Sequence, residues 1–129
     1  MINLQPKKCN LCNGEVEYIK NSKIYGKSYG SGYCYHCRSC GAYVGTNKNK
    51  PIQALGILAN KEMRDWKTYC HNIFDKIWRN KIMTRTDAYK WLSNILDIPF
   101  NECHFGYFDL SQLKRAYAII KNNYPKELK

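Results

Sequence analysis

A chain of 129 residues, 44% apolar and 14% aromatic, has room for one compact domain or two small units, and its composition excludes a long disordered protein. No apolar run approaches the ~20 residues that cross a bilayer, which excludes a helical membrane protein. The net charge of +11, from 21 Lys and Arg against 10 Asp and Glu, points to a polyanion such as nucleic acid, or to an acidic host protein, as partner.

The opening residues, MINLQPKKCN, carry no apolar core after their charges, so no secretory signal is expected and the location is expected to be cytoplasmic. Seven cysteines in such a reducing compartment read as metal ligands or core residues, not as disulfides. Three zones follow one another: a zinc-ribbon-like knuckle region over residues 1–46, a connector over 47–59, and a helical region over 60–129. They are expected to form one compact unit with a shared core. The fold class is α+β, a small antiparallel sheet packed with about three C-terminal helices.

In the first zone, Glu15 to Lys20 alternates as a half-buried strand does. Ile24 to Gly32 is punctuated by glycines and reads as an irregular strand or a loop. Tyr33 to Cys37 and Ala42 to Val44 read as short strands around the second cysteine pair. The helical zone opens at Asn60, a good N-cap, with Glu62 in the first turn. Met63, Trp66, Cys70, Ile73, Phe74 and Ile77 then recur on one helical face. Thr84 and Asp87 open a second helix with a buried stripe of Ala88, Leu92, Ile95 and Leu96, closed by Pro99. Asp109 and Gln112 open a third, with Leu113, Ala116, Tyr117 and Ile120 facing inward.

Cys9-Asn-Leu-Cys12 and Cys37-Arg-Ser-Cys40 are two CxxC turns separated by 24 residues. Each such turn presents two thiolates on one backbone corner, and two corners close a tetrahedral shell. Gly14 and Gly41 follow the pairs, where the backbone is expected to turn away at positive φ. The expected ligands of one structural Zn2+ are therefore Cys9, Cys12, Cys37 and Cys40. The stretch CYHCRSC also offers Cys34 and His36. On a strand these point away from the side that carries Cys37, so they stand only as alternative ligands. Four thiolates leave no open position for a catalytic water, and the sequence shows no Ser-His-Asp set, phosphate loop or HExxH, so no enzyme and no small-molecule substrate are expected.

A second metal site from Cys70, His71, Cys103 and His104 is disfavoured, because adjacent helical residues diverge by about 100°. Asp75 or Asp109 acting with His71 or His104 is selected by nothing in the pattern. Arg64, His71 and Trp78 recur every seven residues and form a candidate interaction ridge beside the apolar stripe. A helix-turn-helix is disfavoured, because about a dozen residues separate the second and third helices. Only the first junction, around Asn80 to Met83, offers the short turn that motif requires, and Arg85 and Tyr89 would then have to leave the buried side.

The segments CNLCNGEVE, IYGKSYG, CRSCGAYVG, LGILAN, MRDWK, FDKIW, TRTDAYKWL and ECHFGYFD together resemble a zinc-finger-containing domain family found in bacteriophages, prophages and bacteria, over about residues 9–121. The resemblance implies the same architecture and a phage or mobile-element origin. It places the family's paired cysteines at Cys9, Cys12, Cys37 and Cys40, and its helical Arg, His and Trp at Arg64, His71 and Trp78. It implies no particular activity.

Two functions are weighed. In the first, the chain is a nucleic-acid-binding or regulatory protein, with Lys7, Lys8, Lys27, Tyr29, Arg38, Lys48 and Lys50 meeting phosphates and bases. In the second, it is a phage-encoded effector that binds and inhibits or redirects a host factor, such as a defence nuclease or a repressor.

Overall fold

The computed structural model describes residues 3–123, and the chain divides into two compact units, Met1–Glu62 and Met63–Lys129. No helix among the described residues is long and apolar enough to cross a membrane. The fold is α+β, as expected: a three-stranded antiparallel sheet in the first unit, and three long helices of which the first begins just before the boundary.

In the first unit the strands are β1 (Val16–Lys20), β2 (Tyr33–Cys37) and β3 (Tyr43–Gly45), in the order β1-β2-β3. The register sets Glu17 opposite His36, Ile19 opposite Cys34 and Tyr43 opposite His36, so these side chains share one face. Val16, Tyr18, Tyr35, Cys37 and Val44 share the other. The span read as an irregular strand is instead one helical turn, α1 (Ser22–Tyr25), followed by a glycine loop. Asn21 pins that loop: its buried amide donates to the Tyr29 carbonyl at 2.8 Å and accepts the Tyr29 N–H at 3.2 Å. With Gly26, Gly30 and Gly32 all at positive φ, a continuous strand was not available.

Residues 47–59 fold back across the Tyr35 face instead of bridging open space. Thr46 pairs with Ala54 and Tyr43 with Ala59, while the Tyr18 hydroxyl donates to the Pro51 carbonyl at 2.8 Å. Ala54 and Leu58 join Tyr35, Val44, Ala42, Cys9 and Cys37 in one buried cluster. A three-stranded sheet has little apolar area of its own, and Leu58 alone adds about 1.5–3 kcal/mol by leaving water.

In the second unit, α2 (Lys61–Arg79) buries Met63, Cys70, Phe74 and Ile77, and α3 (Arg85–Leu96) buries Ala88, Leu92, Ser93 and Leu96. Trp66, Ile73, Ile95 and Tyr117, expected inside, are half-buried. The Thr84 hydroxyl caps α3 by accepting the Asp87 N–H at 3.1 Å. What ends α3 is not Pro99 but Asp97, left-handed at φ 56°, whose N–H turns back to the Asn94 carbonyl. Two 3-10 turns, Phe100–Glu102 and Phe105–Tyr107, lead into α4 (Leu110–Asn122). There Asp109 and Gln112 form the full reciprocal capping box, at 2.8 and 2.9 Å. Phe105 packs edge-on to Phe74 at 5.5 Å and to Phe108 at 5.9 Å, which makes an aromatic core between helices and turns.

Candidate metal centre

The two CxxC segments fold into matching turns. Cys9 donates its N–H to the Gly14 carbonyl at 2.9 Å and Cys37 donates to the Ala42 carbonyl at 2.8 Å. Asn13 N–H returns to the Cys9 carbonyl at 2.8 Å, and Gly41 N–H to the Cys37 carbonyl at 3.0 Å. The residue just after each pair is left-handed: Asn13 at φ 63° and Gly41 at φ 83°. The expectation for Gly14 needs correction. Asn13 supplies the left-handed step, which asparagine tolerates, and Gly14 is required for space. A Cβ built on it would lie 2.7 Å from Ser39 Oγ and 3.1 Å from Cys37 Sγ.

Cys9, Cys12, Cys37 and Cys40 are brought together, with all four sulfurs within 4.8 Å of one another. Sulfurs bound to one zinc at about 2.3 Å stand roughly 3.8 Å apart along a tetrahedral edge. Here Cys9 and Cys40 are 3.7 Å apart and Cys12 and Cys37 3.5 Å. The donor set therefore fits one zinc ion. Backbone N–H groups already point at the sulfurs, from Leu11 to Cys9 at 3.3 Å and from Cys40 to Cys37 at 3.4 Å. The Cys40 N–H is the main reason the Cys37 thiol is lowered to about 6. Burial pushes the Cys9 thiol up, so a metal must displace its proton. Asn10, in the first turn, donates to the Leu58 carbonyl at 3.0 Å and accepts the Leu58 N–H at 2.9 Å, which ties the metal corner to the covering segment.

Cys34 and His36 lie on the opposite face. Cys34 is fully buried, and burial raises its thiol. His36 Nδ1 is 2.8 Å from Glu17 Oε2, and Arg38 Nε approaches the other Glu17 oxygen at 3.9 Å. From His36 the same face continues across β3 to Tyr43, whose ring meets Tyr25 edge-on at 5.7 Å. Tyr25 meets Tyr29 at 5.3 Å, and Lys27 Nζ lies 5.3 Å from the Tyr29 centroid. Three of the sequence-derived contact residues, Lys27, Tyr29 and Arg38, thus belong to one row with Tyr25, Tyr43, His36 and Glu17. Tyr25 reads from the sequence as one of the tyrosines interspersed among these basic residues, and His36 as an alternative ligand, whereas Tyr43 and Glu17 were missed. Only the strand register puts Tyr43 and Glu17 beside His36, and only the return of α1 brings Tyr25 to Tyr43, although the alternation of the strands was visible. Lys7 and Lys8 are exposed on the run into the first CxxC turn, and Lys48 and Lys50 on the turn after β3.

In the second unit the candidate ridge is partly joined. His71 Nδ1 and Trp78 Nε1 both approach Asp75 Oδ1, at 3.9 and 3.2 Å, and Arg79 Nη2 reaches Asp75 Oδ2 at 3.6 Å. Asp75, which the pattern could not select, is the hub, while Arg64 is half-buried about three turns away along the helix. Partial burial lowers the His71 imidazole below its ordinary value, against the opposing pull of Asp75. Asp109 is spent on the α4 cap. Cys70 Sγ donates to the Leu113 carbonyl at 3.3 Å, and among the described residues Cys70, His71, Cys103 and His104 form no ligand cluster.

A family model described as a zinc-finger-containing domain matches residues 5–123. No curated protein and no solved structure matches the chain.

Proposed function

The chain belongs to the zinc-finger-containing domain family, and from that premise we propose that it is a non-catalytic nucleic-acid-binding protein whose zinc-stabilised sheet carries a single strand. One observation supports this most: the row Lys27, Tyr29, Tyr25, Tyr43, His36 and Arg38 along one face of the sheet. Tyr25 and Tyr29 are 45% and 49% exposed, a large ring area to leave in water. Unpaired bases stack on such rings whatever their identity, and flanking Lys and Arg neutralise the phosphates. Duplex bases are already stacked on each other, so the row favours single strands. The zinc holds β2 and both turns in place, and its four thiolates leave it no open position for chemistry. The setting, on the resemblance described above, is a phage or mobile element acting in a bacterial cytoplasm.

The test is fluorescence anisotropy of a labelled single-stranded oligonucleotide with the zinc-loaded protein at two salt concentrations. Binding that weakens steeply with salt and disappears on chelation is expected. A chain that ignores every oligonucleotide at low salt, but copurifies with one stoichiometric acidic host protein, would reassign the row to a protein partner and make this an effector.

A further inference from the structure

The helical unit contains a concave site that the zinc module does not account for. The first turns of α3 and the Phe100–Glu102 turn enclose a cavity of about 200 Å³, lined by Arg85, Thr86 and Tyr89 on one side and by Phe100, Asn101 and His104 on the other. That is smaller than the roughly 300–1,000 Å³ of pockets for drug-sized ligands, so the cleft encloses only a ring-sized part of its occupant and leaves the remainder across the open rim.

The walls define what kind of ring. The Arg85 guanidinium lies over the Tyr89 ring at 5.0 Å, and no carboxylate among the described residues forms an ion pair with it. A planar cation held this way by an aromatic face presents its N–H fork to an incoming phosphate. Phe100 is 49% exposed at the rim, a flat apolar surface available for stacking. Asn101 and Thr86 offer an amide and a hydroxyl, the groups that read the polar edge of a base. At the floor Cys103 is buried, and burial holds its thiol up at about 11, so it lines the cavity as a neutral apolar group. The His104 ring, 4.7 Å from Tyr107, closes the far side. An acidic peptide side chain or free phosphate would engage Arg85 and leave Phe100 and Asn101 without a role. A nucleoside would leave Arg85 without one.

We propose that this cleft holds one nucleotide, with its base against Phe100, its edge at Asn101 and its phosphate on Arg85. The site lies within the second unit and stands or falls separately from the row on the sheet.

The test is calorimetric titration of the zinc-loaded full chain with AMP and CMP, and with adenosine and inorganic phosphate as controls. A mononucleotide should saturate at millimolar concentration or below, with adenosine and phosphate each about tenfold weaker. Arg85→Gln should weaken AMP about tenfold and leave adenosine unchanged. Phe100→Ala should weaken AMP and adenosine about fivefold or more and leave phosphate unchanged. Phe100→Leu, which keeps apolar bulk without the ring, repeats that test should the alanine variant fail to fold. Tyr29→Ala, on the other unit, should leave AMP binding as it was. Three results would overturn the assignment: no saturation by either nucleotide, phosphate binding as tightly as AMP with no effect of Phe100, or displacement of AMP binding by Tyr29→Ala but not by Arg85→Gln.

Discussion

Gly14 and Ser39 come from the two different CxxC turns, and they meet so closely that a methyl group on Gly14 would lie 2.7 Å from Ser39 Oγ and 2.9 Å from Ser39 Cβ. The same methyl would press on the Cys37 sulfur at 3.1 Å. Neither the Ser39 Cβ nor a metal-bound sulfur has room to retreat, so the turns must separate. Gly14→Ala should therefore cost about 1–3 kcal/mol of stability in the zinc-bound protein, read as a lower urea midpoint. Gly45→Ala is the control, since its added Cβ would meet only Leu55 at 3.7 Å. Ser39→Gly in the Gly14→Ala background should recover part of the loss. Equal midpoints for Gly14→Ala and Gly45→Ala would refute the account.

How far the sequence goes is visible at this same corner. The four ligands follow from two CxxC spacings, because a turn of that length has few ways to present two sulfurs. The N-caps at Thr84 and Asp109 are equally local signals and hold, and so do the apolar stripes of the three helices except at Trp66, Ile73, Ile95 and Tyr117, which are half-buried. What failed was longer range. Nothing local told Gly14 from Asn13 as the left-handed residue, since the need for glycine arises from Ser39, 25 residues on. The covering role of 47–59 depends on Asn10 reaching Leu58, and the Tyr25–Tyr43 contact on how α1 returns to the sheet. Asp75 is a hub only because Trp78 and Arg79 turn towards it, which no local pattern encodes.

Cys70 gives the helical unit a dependence on alkaline pH. Burial in the α2 stripe pushes its thiol up from the ordinary 9.0 to about 12. An acid whose pKa is raised by folding stabilises the fold fully below the unfolded value. The contribution is lost as pH rises between the two, because the unfolded chain gives up its proton first. The unit should hold its stability up to about pH 9 and lose roughly 2 kcal/mol by pH 10.5 from this thiol alone. Cys103, raised to about 11, adds to the same trend. Urea unfolding followed by tryptophan fluorescence across that range should show the slope, and Cys70→Ala should flatten it at the cost of a lower starting stability. A slope indifferent to that substitution would place the titration elsewhere.

Lys27 and Tyr29 are neighbours in the row but should fail differently. Lys27→Ala removes one phosphate partner, so it should weaken a single-stranded oligonucleotide modestly and lower the salt slope by about one. Tyr29→Ala removes a stacking surface, so it should cost about 1–3 kcal/mol of binding with the salt slope unchanged. Anisotropy titrations at four salt concentrations separate the two. Were both variants to change only the slope, the tyrosines would be packing groups and the binding purely electrostatic.

Cys34 and Cys40 lie at the two ends of CYHCRSC and should separate just as clearly on substitution. Cys40 contributes a sulfur 3.7 Å from Cys9 and its N–H to Cys37, so Cys40→Ser breaks the shell and removes a thiolate that zinc needs. Because binding at such a site supplies folding free energy, the first unit should lose its bound zinc and its cooperative unfolding together. Cys34 is buried on the opposite face, with Ile19 and Gly45 as its cross-strand partners. Cys34→Ala should keep one zinc per chain and lose only about 1 kcal/mol of packing. Metal analysis of the two purified variants decides the matter: zinc lost from Cys34→Ala but kept by Cys40→Ser would invert the ligand set and leave the strand alternation without its explanation.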